Sequence, residues 1–445
     1  MAEIRPLRAW RYADSLYKKI DEITSPLFDV VSEKQRQKLY QNPYSSIHLS
    51  VPQDSAHSAR QVLEKWKTDG TIIQDPLPGI YVYYQYFSLP GSVDEICRKG
   101  FMCNIRLTEW HEKVVLHHEN TMSQAVEERT DVIKKTELNV SPTHGLYTDI
   151  DFELEKYMDD SMKNPVYETE DYQGVRDVLS IIHDYKIIQK FITKLKDKTI
   201  ILADGHHRYQ GSLDYMHLAK SNNPQHNGQE GYNFHLMYLT NTESDNLRIL
   251  PTHRLVNNLA NFNENEIIEK LGKYFTIKPI EDTFYLNEII CGKKYAFGLI
   301  FKSQAYKVRL KPEYYNGVTW PFPDVIKQLD LTVMHYFIIE KALGIPGPKQ
   351  RNTKNILFDR SFSDCYARVL KNEVQMAIIV NELTIDEVKK VCASGYTLPQ
   401  KSTYFYPKVV SGFLYSSIKA DEFKFPDNLS FELSEEESFT EGHRA

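Results

Sequence analysis

Thr199-Ile200-Ile201-Leu202-Ala203-Asp204-Gly205-His206-His207-Arg208-Tyr209 is the stretch on which the reading of this chain turns. Its opening run is apolar and β-branched, too short for a helix of its own, so Lys198 to Ala203 reads as a buried strand. Asp204-Gly205 supplies the turn, and a helix is expected from about His206 to Lys220. The first turn of a helix leaves backbone N–H groups without intrahelical partners, and aligned peptide dipoles make that end partly positive. A phosphate suits such a corner. Gly205 lets the backbone come close and adopt conformations that other residues avoid. Arg208 adds a planar, charged fork matched to phosphate oxygens. Asp204 offers the carboxylate that Mg²⁺ prefers beside phosphate, and His206 and His207 can donate to phosphate or move a proton near neutral pH. The plainer alternative makes Asp204 a helix cap and the histidines local hydrogen-bond partners.

Outward from this corner, helical patterns run over Ser55 to Lys67, Glu119 to Asn139, Lys186 to Leu195 and Asn263 to Tyr274. Strand patterns cover Ile47 to Val51, Gly79 to Phe87, Gly100 to Leu107, Phe234 to Leu239 and Met376 to Val380. A short strand is expected after Pro26, and Ser32 with Gln35, and Thr384 with Glu387, read as capping boxes. The alternation is irregular, which predicts an α/β or α+β fold of mixed sheets with helices in several lobes. The expected divisions are 1–110, 111–260 and 261–431, followed by a disordered acidic tail over 432–445.

With 445 residues, 41% of them hydrophobic, the chain has enough apolar material for large cores. No apolar run approaches the ~20 residues of a membrane span. The opening Met1 to Pro6 has no secretory apolar region. The five cysteines form no CxxC pair, which argues against a disulfide framework, and a cytoplasmic location is expected. A net charge of −6 counts against nucleic acid as the partner.

Three further polar segments carry chemistry. His117-His118-Glu119-Asn120-Thr121 follows an apolar run and sets an acid/base pair at a sheet edge, with Glu119 a candidate general base and His118 beside it; the alternative is a helix start in which Glu119 favours the dipole. The segment lacks HExxH spacing. Pro399 to Lys408, with Lys401, Ser402 and Thr403, offers an anion-binding loop or, more plainly, a structured loop with solvated lysines. Pro251-Thr252-His253-Arg254 is a smaller polar knot, with His253 equally well a core histidine. At Asp330 a helix start is expected, with the aspartate capping it.

Taken in order, LHHENT, NVSPTHGLY, ADGHHRYQGS, LPTHRLV and PQKSTYFYPK resemble the family called domain of unknown function 1015, over roughly Ile4 to Ile418. The DGHHR segment is similar to the signature of the ParB/sulfiredoxin-like fold and to that of free serine kinases. That resemblance implies a phosphate and magnesium site at Asp204, Gly205, His206, His207 and Arg208, with ATP or ADP as the nucleotide. The resulting expectation is phosphoryl transfer between a nucleotide and a small hydroxyl metabolite, L-serine or phosphoserine first, in either direction. No Walker A or kinase glycine loop is present. Two other classes compete: a nucleotide-binding, ParB-like regulatory or DNA-associated protein, and a metal-dependent hydrolase using His117, His118, His206 and His207.

Overall fold

The computed structural model describes residues 1–27, 31–89, 92–171, 173–350, 353–399 and 401–425. Most of the strand expected after Pro26 and the tail beyond 431 lie outside these residues. Nine strands among the described residues build the larger sheet. They are β1 (Ile4–Arg5), β2 (Ile80–Ser88), β3 (Glu95–Arg106), β4 (Val115–His117), β5 (Thr143–Tyr147), β6 (Tyr167–Glu170), β7 (Arg176–Ile182), β8 (Ile200–Asp204) and β9 (Phe234–Asn241). Their spatial order is β4-β8-β5-β9-β3-β2-β7-β6, with β1 paired to β3. Pairing is parallel for β4 with β8 and for β5 with β9, and antiparallel elsewhere. The result is a mixed α/β fold.

Helices cover this sheet because their apolar residues fall on one stripe. In α3 (Tyr185–Lys196), Ile188, Phe191, Ile192 and Leu195 are all buried, at the three- and four-residue spacing of one helix face. They share a core with Phe101, Ile200 and Leu202. Each such side chain contributes ~1.5–3 kcal/mol on burial. Asp184 starts the helix by accepting the Ile187 N–H at 3.0 Å. The other helices that matter here are α1 (Ala56–Thr68), α2 (Ser123–Thr136) and α4 (His206–Ser221).

A second, six-stranded sheet is antiparallel throughout. Its strands are β10 (His253–Val256), β11 (Phe275–Ile280), β12 (Ala296–Ile300), β13 (Ala305–Leu310), β14 (Ile356–Asp359) and β15 (Met376–Ile379), in the order β11-β13-β12-β15-β10-β14. After it, α5 (Ile385–Ser394) opens on the capping box of Thr384 and Glu387. The chain then returns to the larger sheet. Leu398 N–H donates to the His118 carbonyl at 2.7 Å, Phe405 pairs with Ile249, Tyr415 bonds Trp10, and Ser416 pairs with Asn139.

Three local expectations are corrected. Ile47 to Val51 is not a strand: Ile47–Ser50 is a helical turn, with Ser50 N–H bonded to Ser46 and Val51 N–H to Ile47. Alternating apolar residues over so short a run do not separate the two periods. The helix expected from Glu119 begins only at Ser123, because Glu119 is drawn into a bridge with Leu398. Asp330 starts its helix without capping it; its carboxylate accepts the Tyr295 N–H at 3.0 Å and pairs with Lys294. Among the described residues no helix is long and apolar enough to cross a membrane.

Candidate functional site

Strand β8 ends at Asp204, Gly205 turns the chain, and α4 begins at His206. Gly205 has φ +91°, in the left-handed region. A Cβ there would lie 2.6 Å from the Thr143 methyl and 3.0 Å from Arg208 Nη2, so both the conformation and the space demand glycine. Gly205 is also the N-cap, and no side chain caps the helix. The capping role offered for Asp204 is therefore not what it does.

Asp204 is half-buried between two cations. Its Oδ2 accepts from Arg208 Nη2 at 2.7 Å, and its Oδ1 from Lys408 Nζ. Arg208 is 6% exposed and also donates to the Pro142 carbonyl and to Ser141 Oγ at 3.4 Å. The guanidinium thus braces the strand end against the start of β5. A cavity of about 20 Å³ borders it, lined in part by Arg129, Ser141, Arg208 and His235.

The HHENT segment and the C-terminal loop meet at this corner. His118 is fully buried, its Nε2 sharing a 2.7 Å hydrogen bond with Thr403 Oγ1. Glu119 Oε1 accepts the Lys401 N–H at 2.8 Å. Ser402 is buried and donates to the Pro399 carbonyl. Lys401 is exposed, whereas the Lys408 ammonium is largely buried on Asp204, so the loop is only partly one of solvated lysines. Rings of His118 and His206 lie edge to face at 4.9 Å. His207 Nε2 accepts the Met122 N–H at 3.0 Å, tying α4 to the entry of α2.

Burial sets the protonation of this group. It pushes His118 down to about 4 and holds His206 well below the usual imidazole range, where neighbouring His118, His117, His207 and Arg208 add to the effect. Both rings are neutral at pH 7. His206 Nε2 is buried without a hydrogen-bond partner.

The four histidines offered for a hydrolase do not converge on one point. The His117 ring packs on Trp110 at 4.3 Å and His207 is bonded to Met122. Among the described residues, the group with metal-ligand geometry is Asp149, Asp151 and Glu153, and the Lys194 ammonium already pairs with Asp149 and Glu153 there. Asp204, expected to hold Mg²⁺, does not fit it in this arrangement, because Arg208 and Lys408 already occupy both of its carboxylate oxygens and repel a further cation.

Sequence reasoning missed Lys408 as the partner of Asp204, 204 residues away, and Pro142 as the acceptor for Arg208. No short-range pattern carries either contact. The nearest signal was the presence of both residues inside longer motifs.

The strand, left-handed glycine and helix within a mixed sheet place the molecule among mixed α/β proteins. More particularly, the chain belongs to the family described as protein of unknown function DUF1015, whose model matches residues 4–332. Among solved structures it is similar to a free serine kinase in complex with AMP, at 15% identity and TM-score 0.35, covering 73% of this chain and 93% of that one. A conserved hypothetical protein from Pyrococcus furiosus matches at 14% and 0.33, covering 73% and 97%. SbnI with C-terminal truncation from Staphylococcus aureus matches at 10% and 0.34, covering 72% and 90%. No curated protein matches.

Proposed function

We propose that this protein transfers a phosphoryl group between a nucleotide and a small hydroxyl metabolite, with L-serine and phosphoserine the first pair to test. One observation carries the reading: three distant segments meet at the start of α4, where Lys408 donates to Asp204 and the His118 ring lies edge to face on His206. A carboxylate, an ammonium, imidazoles and a helix N-terminus suit phosphoryl transfer, since it depends on positioning and charge neutralisation. The nucleotide, ATP or ADP, follows from the similarity of the DGHHR segment to free serine kinases.

In this reading the first-turn amides of α4, with Gly205 allowing close approach, hold phosphate together with Lys401, Ser402 and Thr403. Arg208 fixes Asp204 and adds its charge behind the phosphate. Asp204, held between Arg208 and Lys408, orients both cations at the corner where the phosphate would sit. Glu119 accepts the proton of the attacking hydroxyl. His118 and His206, kept neutral by burial, and His207 are placed to hand that proton on.

Phosphate transfer from ATP or ADP to a panel of small hydroxy acids is the test. Glu119→Gln and Asp204→Asn are expected to lower turnover by about 10²–10⁴-fold, with the far-UV spectrum unchanged. Full activity of both variants on a confirmed substrate would refute the assignment.

A further inference from the structure

The smaller lobe meets the candidate site along two aromatic rings, each flanked by two cations. Arg254 of β10 and Lys401 of the loop lie over the Phe358 ring, at 5.2 and 5.7 Å. Arg360 and Lys408 lie over the Tyr404 ring, at 3.6 and 5.0 Å. Lys408 is balanced by Asp204. No carboxylate among the described residues pairs with Arg254, Arg360 or Lys401.

Arg254 is the telling member. It is 1% exposed, and its Nη1 donates to the Thr252 carbonyl, while Nε and Nη2 have no hydrogen-bond partner. Burial alone pushes its pKa down to about 9, with no neighbouring acid to oppose it. Taking a charge out of water costs more than one ring face returns. The contacts present leave this cation far from compensated. Arg360 and Lys401 carry the same sign of charge from the buried guanidinium towards the surface, since Arg360 is half-buried and Lys401 exposed.

The geometry points to an oxyanion site in the smaller lobe, in which Arg254 and Arg360, across Phe358 and Tyr404, grip a phosphate or carboxylate group of a small metabolite. It rests on the proposed function only for the ligand's role: the group held here would belong to the nucleotide or the acceptor whose other end reaches Glu119 and Asp204. A guanidinium forks onto either kind of oxyanion with paired N–H donors.

Calorimetric titration of the full chain with inorganic pyrophosphate and, separately, malonate tests this without any turnover. Native protein is expected to bind at least one probe, and Arg254→Met and Arg360→Gln to weaken that binding at least tenfold. A preference for pyrophosphate assigns the site to a phosphate, and one for malonate to a carboxylate. Arg254→Met is also expected to raise Tm, because an unpaired buried charge gives way to an apolar chain of similar length. Failure of both probes to bind native protein, or native affinity in Arg254→Met, would overturn the inference. Should that variant not fold, native affinity in Arg360→Gln decides against it. If no phosphate transfer from ATP or ADP is found while the arginine variants lose the anion, the phosphotransfer reading fails and the oxyanion site stands.

Discussion

At the scale of single residues, Gly205 carries the most constraint per atom. Its φ of +91° disfavours any L side chain, and a methyl group would meet Thr143 at 2.6 Å and the Arg208 guanidinium at about 3.0 Å. Strained conformations of this kind cost about 1–3 kcal/mol. Gly205→Ala is therefore expected to lose about that much stability in urea titration, with an unchanged m-value. It should also weaken nucleotide binding, since relief requires Arg208 to move off Asp204. An alanine variant with native midpoint and affinity would show that the corner tolerates more than its geometry suggests. Arg208 illustrates a different lesson. A permanently charged fork beside a helix start reads as one matched to phosphate oxygens; this one is 6% exposed and braces Pro142 and Asp204. Which way a long side chain turns is decided by acceptors that sequence spacing does not reveal.

At the scale of elements, strands and helices were legible where one period ran long enough. The strand and helix on either side of Gly205, the apolar stripe of α3, and both capping boxes all fall within a residue or two of expectation. Ile47 to Val51 failed because five residues fit two periods, and the start of α2 failed because a distant loop claimed Glu119. The site itself was half legible. Its polar residues stand out in short motifs, but their meeting depends on the return of residues 398–408, which no local pattern announces. The helix α5 prepares that return. Val388 and Cys392 on its inner face pack with Ile201, Ala203 and Phe405, so the helix backs both β8 and the loop. Its N-terminus depends on Thr384 Oγ1, which accepts the Glu387 N–H at 3.2 Å, while the Glu387 carboxylate accepts the Thr384 N–H at 3.0 Å. Thr384→Ala should cost about 1 kcal/mol, within the usual range for a lost cap. Hydrogen exchange should then speed up first in residues 385–394 and in the loop after them. Faster exchange confined to the smaller sheet would contradict this coupling.

At the scale of the whole molecule, the two sheets and the returning segment enclose an unusual number of neutral imidazoles. Burial pushes His118 and His253 down to about 4 and His235 and His335 to about 3, and holds His144 and His206 well below their usual value. In the unfolded chain each takes a proton near ~6.5. Between that pH and about 4 the unfolded state therefore binds more protons than the folded one, and stability falls as the solution is acidified. Asp177 acts in the opposite sense. Burial raises its carboxyl to about 7, against the hydrogen bonds from Tyr83 and Gln85, so its contribution is present in acid and lost as pH rises towards 7. Glu155, Asp171 and Asp330, also raised by burial, act on the same side, but the six histidines outnumber these four carboxyls, and calorimetry is expected to give a lower Tm at pH 4.5 than at pH 7. Asp177→Asn, which can retain the hydrogen bond to Tyr83, removes one opposing group, so the fall in Tm on acidification should become steeper. A Tm independent of pH over this range, or a shallower fall in the variant, would show that these histidines are hydrated in solution. In the proposed phosphotransfer the same neutrality means that His118 and His206 would add no positive charge at pH 7, which would leave neutralisation of a phosphate to Lys408, Arg208 and the amides of α4.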